Sequence, residues 1–419
     1  MDYLRQKSLG LVLAATFALV GMTGEAQAQA RAVIAERVYT APDKPPLEDA
    51  VILIRDGVIE KLGSRHSTAI PDDYEVFDWA GFTLTAGFWN SHVHLVTPTY
   101  LRAELASDEE IQGELERTFT RWGFTTVFDL ASTTEVAAEI AGRLAGGRIV
   151  GPRVLSVREP FYPEAATPIY ARPFYEAFDL PSAEVATAVE AADRARRQLR
   201  EGAEGVKLFA GSIVGGEDDV AIMPPAIIAA ISREAERARR PVFAHPTNQA
   251  GLEAAVENGV NVLAHAVPLM GPWSPEYAKQ IAARGVALVP TLALFELDPH
   301  PSTPVAHAIQ QTSAFRDAGG AVLFGTDAGF SDVFDTSTEL RLLGSAIGWQ
   351  AVLEALTTAP AAHFGEAQLR GQIAPGFLAD IVALAGDPAD EITRLADVRR
   401  VMVAGRVVFD KGGATDASR

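Results

Sequence analysis

The chain has 419 residues, 48% of them hydrophobic, with a formal net charge of −18 and no cysteine. This length allows two or three domains, or one large barrel with an appendage. The acidic balance argues against nucleic acid or an anionic membrane surface as a partner, and the missing cysteines exclude disulfides, thiolate metal ligands and a thiolate nucleophile.

The chain opens with "MDYLRQKSLGLVLAATFALVGMTGEAQAQA". Arg5 and Lys7 precede an apolar stretch from Leu9 to Met22, and "AQAQA" offers cleavage after Ala28 or Ala30. Residues 1–28 therefore read as a secretory signal peptide, too short in its apolar part for a membrane span. A periplasmic or secreted protein is expected, with no stable membrane span after processing.

From about residue 32 to 86, short β-rich runs alternate with turn signals, "RDG" being a hairpin candidate. After Gly87 the pattern changes. Apolar runs now alternate with longer stretches of helical period such as "SDEEIQGELERTFTRWG" and "NQAGLEAAVENG". In order, the runs are "GFWNSHVH" (87–94), "TTVFDL" (125–130), "RVLSV" (153–157), "GVKLFA" (205–210), "PVFAHP" (241–246), "VNVLAHA" (260–266), "VALVPTL" (286–292) and "AVLFGTDAG" (321–329). Eight such units predict a (β/α)8 TIM barrel over residues 87–365. An open doubly wound sheet would place a glycine-rich loop after the first strand, and "NSHVHL" is not one. Beyond residue 365 the chain is β-like again, so residues 366–419 are expected to join 32–86 in one composite β-sandwich domain.

Polar residues fall at telling places. His92 and His94 end the first run, on one face of an extended chain because side chains alternate with period 2. His245 and His265 end the fifth and sixth runs, Asp327 ends the eighth, and Lys207 lies inside the fourth. Taken singly, His245 or His265 reads as a hydrogen-bonded core histidine, Asp327 as a turn cap, and Lys207 as the partner of some acid. Together they fall where a barrel keeps its chemistry, at the C-terminal rim of its strands, and imidazoles with a carboxylate make a metal site.

These motifs, with "GFTTVFDL" and the closing "GQIAPGFLADIVAL", resemble the amidohydrolase superfamily, in the branch related to imidazolonepropionase and metal-dependent Xaa-Pro dipeptidases. The resemblance spans the whole mature chain. It implies metal ligands at His92, His94, Lys207, His245, His265 and Asp327. It further implies two divalent ions, zinc being the best match to the donors, bridged by a carbamylated Lys207, with Asp327 as the catalytic proton shuttle. Two such ions can share a hydroxide at neutral pH, because coordination lowers the pKa of water from 15.7 towards about 7.

The expected reaction is hydrolysis of C–N bonds in small substrates such as dipeptides or N-acyl amino acids. A lactonase or esterase, a phosphotriesterase and a non-catalytic metal-binding protein are the alternatives. The longest βα loop, "REPFYPEAATPIYARPFYEAFDLP", offers Tyr170, Arg172, Phe174 and Tyr175 as a substrate wall. Arg172 there is suited to a substrate carboxylate or to stacking on its aromatic neighbours. His300, His307 and His363 receive no chemical role, and the oligomeric state is left open, a homo-oligomer included.

Overall fold

The computed structural model describes residues 29–216, 219–297 and 304–412. The expected export signal and His300 lie outside these residues.

Both ends of the chain share one sheet. Its strand order is Arg406–Asp410, Val398–Val403, Ile381–Leu384, Glu75–Ala86, Ala30–Val38, Leu47–Arg55 and Val58–Ser64. The junction is antiparallel, with Ile381 opposite Ala86 and Leu384 opposite Thr83. Period-2 patterning directs Val33, Ile52, Ile54, Trp79, Ile381 and Met402 into a common apolar core. The "RDG" turn is a tight hairpin. Asp56 and Gly57 both have positive φ (51° and 79°), as a type I′ turn requires, and a Cβ on Gly57 would lie 2.6 Å from the Ala404 carbonyl.

The second unit is a barrel of eight parallel strands: Phe88–Val93, Phe124–Asp129, Arg153–Ser156, Val206–Phe209, Val242–His245, Val262–Ala264, Ala287–Val289 and Ala321–Val322. The first three form one hydrogen-bonded group and the last five another. A bridge between Phe161 and Leu208 joins the groups on one side, and a bridge between Val93 and Ala328 closes the ring on the other. All eight strands were predicted, although the last is regular over two residues only.

Phe128, Phe243 and Phe364 fill the interior, with ring centroids 4.7–6.0 Å apart. Fully burying one such side chain contributes about 1.5–3 kcal/mol. His363 sits beside Phe364, and burial lowers its pKa.

The helices start where capping chemistry places them. Asp108–Thr118 begins with a capping box between Ser107 and Glu110, and Gln249–Glu257 begins on Asn248 and is followed by Gly259 at φ 93°. The long loop expected after the third strand contains a helix, Arg172–Ala177, started by Pro173 in its first turn.

Candidate metal centre

Barrel closure makes the centre. Where the first and last strands meet, Ser91 N–H donates to Phe324 O, Asp327 N–H to His92 O (2.9 Å) and His94 N–H to Ala328 O (2.7 Å). The "FGTDAG" glycines permit this approach. A Cβ on Gly325 would lie 2.9 Å from the His92 Cβ, and one on Gly329, at φ 101°, would lie 2.2 Å from the His94 carbonyl oxygen. Asp327 has φ 58°, a conformation that aspartate tolerates better than most residues. Its Oδ1 consequently stands 3.0 Å from His92 Nε2 and 2.7 Å from His94 Nε2.

The remaining residues converge on this pair. The His265 ring lies 4.7 Å from His92 and 4.7 Å from His245. His245 stacks on Phe209 at 4.7 Å, and Lys207 Nζ lies 5.5 Å from the same Phe209 ring. His92, His265 and Asp327 each place a ligand atom within 4.8 Å of the other two.

The electrostatics favour a cation. Burial lowers the His92 pKa to about 3, with the Asp327 carboxylate opposing and Lys207 reinforcing that shift. Burial and then the charge of Lys207 bring His245 to about 3, and burial carries His265 well below its usual range. These three imidazoles are neutral at pH 7 and keep a lone pair. Burial resists ionisation of Asp327, but the His92 and His94 contacts outweigh it, and the carboxyl is held well below the usual carboxylate range. Burial lowers Lys207 to about 8 against the pull of Asp327.

His92 is the clearest test of whether these residues fit a metal. It is fully buried, and neither ring nitrogen has a hydrogen-bond partner; the close approach of Nε2 to Asp327 lacks hydrogen-bond geometry. A buried polar group without a partner costs about 1–3 kcal/mol. A divalent cation satisfies it, and the donor set of neutral imidazoles and carboxylate suits one.

The expected wall residues divide. Tyr170 meets Phe330, from the loop after Asp327, edge-to-face at 5.5 Å. Tyr170 is 39% exposed, yet burial and then Asp327 raise its pKa. Tyr170 therefore lies within electrostatic reach of the carboxylate, with part of its side chain open to solvent. Arg172 is tied to its own loop, donating from Nε to Thr167 O at 3.0 Å, close to Glu184. Tyr175 packs on Tyr162, which packs on Phe209, so it reaches His245 only through two other rings. His307 lies in the helix Val305–Asp317, and His66 is exposed on the β-domain.

Sequence reasoning missed several supporting residues. Asn90 accepts from His92 N–H and Thr326 N–H and donates to Thr326 Oγ1, joining the first and last strands. Asp129, fully buried, accepts from Leu95 N–H and from the hydroxyls of Ser132 and Ser156, fixing the chain just past His94. A polar residue inside a buried strand was the available signal in both cases.

Residues 83–408 match the amidohydrolase family. The chain belongs to that family. As a member of it, the protein is a hydrolase acting on carbon–nitrogen bonds, and amidohydrolases are typically metal-dependent. The ochratoxinase of Aspergillus niger is 27% identical over 411 residues, spanning 84% of this chain and 80% of that enzyme. Its crystal structure superposes with a TM-score of 0.75 at 23% identity, covering 94% of this chain and 99% of that one. A Xaa-Pro dipeptidase with bound methionine gives a TM-score of 0.75 at 18% identity, covering 90% of this amidohydrolase and 99% of that chain. Molinate hydrolase gives 0.73 at 19% identity, covering 91% and 94%.

Proposed function

We propose that this amidohydrolase is an exported enzyme that uses two divalent ions, of which zinc best suits the donors, to hydrolyse the amide bonds of dipeptides or N-acyl amino acids. The observation that carries this reading is the position of Lys207. It is buried, with a lowered pKa, among the strand ends that gather the four histidines and Asp327. Its neutral amine can add carbon dioxide and release a proton, and the two oxygens of the resulting carbamate would be available to bridge two cations. His92, His94 and Asp327 would hold one ion, and His245 and His265 the other. His265 places a ligand atom within 4.8 Å of those of His92 and Asp327, so the two proposed sites would be adjacent.

When bound, the ions supply an acidified water and polarise the scissile carbonyl. The chain's own residues do the rest. Asp327, ionised before the reaction, takes the proton of the attacking water and delivers it to the leaving nitrogen. Tyr170 and Phe330, in edge-to-face contact, would form one wall for the substrate. The named activities of ochratoxinase and of the Xaa-Pro dipeptidase support an amide substrate.

The test is a screen of zinc-loaded and chelated protein against dipeptides, N-acyl amino acids, lactones and phosphotriesters. Zinc-dependent turnover of the first two classes is expected. Turnover confined to lactones or phosphotriesters would replace the reading with an esterase or phosphotriesterase. Export is tested by N-terminal sequencing from the native compartment, with Gln29 or Arg31 expected first and any residue before Gly24 excluding cleavage.

Arg172 retains a testable role. If it pairs with a substrate carboxylate, Arg172→Ala should raise KM about tenfold or more for substrates carrying that group, since a charge-assisted hydrogen bond is worth about 1.5–3 kcal/mol. Neutral substrates should be little affected. Equal losses on both classes would leave Arg172 as the packing residue that its bond to Thr167 describes.

A further inference from the structure

His265 differs from the other histidines of the centre in having a hydrogen bond on its second ring nitrogen. Its Nδ1 lies 2.8 Å from Thr291 Oγ1, and the same oxygen lies 2.9 Å from the carbonyl oxygen of Pro290. These two contacts have one consistent proton assignment. A carbonyl oxygen only accepts, so the single hydroxyl proton of Thr291 must point to Pro290. The Thr291 oxygen is then left with lone pairs, and it must accept from His265 Nδ1–H. The reverse assignment would set two oxygen lone pairs against each other at 2.9 Å.

The surrounding backbone holds this arrangement in place. Ala266 N–H also donates to Pro290 O (3.1 Å), so residues 265–266 are joined twice to residues 290–291. Thr291 has φ 48°, an uncommon conformation for a β-branched residue. The Ala293 N–H, two residues on, donates to the buried Glu339 carboxylate at 2.6 Å. Glu339 comes from the helix Ser337–Ile347 and is 1% exposed. It has no ion-pair partner among the described residues.

We infer that Thr291 is a positioning residue that fixes His265 as the Nδ1–H tautomer, so that Nε2 presents its lone pair to a metal ion. The inference rests on the reading of His265 as a metal ligand. It goes further by naming the ligating nitrogen and the residue that selects it. A partner on the non-ligating nitrogen commonly sets imidazole tautomer and orientation, and its loss costs about 10–100-fold in metal affinity.

The test uses the full-length protein with 15N-labelled histidine. In the metal-free wild type, the His265 signals, assigned by their absence in His265→Ala, should show a protonated Nδ1 and a bare Nε2. Thr291→Val keeps the shape but cannot accept, and should shift the signals towards the Nε2–H form. Zinc competition should show one ion weakened about 10–100-fold in Thr291→Val, and near wild-type affinity in Thr291→Ser. Two results would overturn the relay: a protonated Nε2 in the metal-free wild type, or a Thr291→Val protein with unchanged tautomer and unchanged zinc affinity. Full retention of both ions by His265→Ala would instead remove His265 from the metal centre, so the failure of that reading is distinguishable from failure of the relay.

Discussion

His92→Ala should abolish turnover while leaving the barrel folded. If His92 holds an ion together with His94 and Asp327, as proposed, its loss should cut the metal content from about two ions per chain to at most one. Turnover should fall about a thousandfold or more, because the site's contribution is to bring the pKa of water from 15.7 towards about 7. The stability effect has a distinctive sign. In the metal-free protein the His92 ring is buried with no hydrogen-bond partner, a burden of about 1–3 kcal/mol that alanine removes. Under chelation the melting temperatures of the two proteins should therefore differ little. With zinc added, the wild type should rise well above the variant, because a ligand that binds only the native state stabilises it by mass action. Asp327→Asn makes a useful companion. Its amide oxygen can still face a cation but cannot carry a proton, so kcat should fall further than metal content. A His92→Ala protein that retained both ions and wild-type kcat would exclude His92 from the centre.

Lys207→Ala should weaken both ions together. Lys207 is 2% exposed and lies within electrostatic reach of Asp327, the position that the proposed bridge between two ions requires. Metal analysis should find about two ions in the wild type and well under two in the variant, with kcat reduced in parallel. Short carboxylic acids should restore part of the activity by occupying the space of the carbamate, and they should have no such effect on the wild type. Added bicarbonate should raise activity in a freshly stripped and reloaded wild type but not in Lys207→Ala. A wild type that binds one ion, with activity unchanged in Lys207→Ala, would place the protein in the mononuclear branch.

Much of this centre was legible in the sequence, for a physical reason. A barrel puts every strand C-terminus on one rim, so His92, His94, His245, His265 and Asp327 could be gathered without knowing any distance. The alternation of apolar runs and helical stretches was enough to place the eight strands. What stayed hidden was whatever depends on neighbours distant in sequence. Asn90 joins the first strand to the last through Thr326, and nothing in "FWNSH" shows which residue it will meet. Glu339 looks like an ordinary acid in the first turn of a helix, yet it is buried and holds the segment following Thr291. The helix Arg172–Ala177 was hidden by composition, because Pro173 followed by two aromatics resembles a loop even though proline suits a helical first turn.

The seam between the first and last barrel strands also bears on how the proposed centre would acquire a cation. His94 and Asp327 are 233 residues apart in the chain and meet only where Val93 pairs with Ala328. During synthesis or refolding these two groups are strangers until the circle of strands is complete, and loop closure over such a span comes late. A half-made chain therefore lacks the proposed site of His92, His94 and Asp327, and loading of that site would follow closure of the barrel. Raw affinities along the first transition row would favour copper over zinc at most nitrogen and oxygen sites. The compartment in which the circle closes, through the ions available there at that moment, would then decide which metal this protein carries.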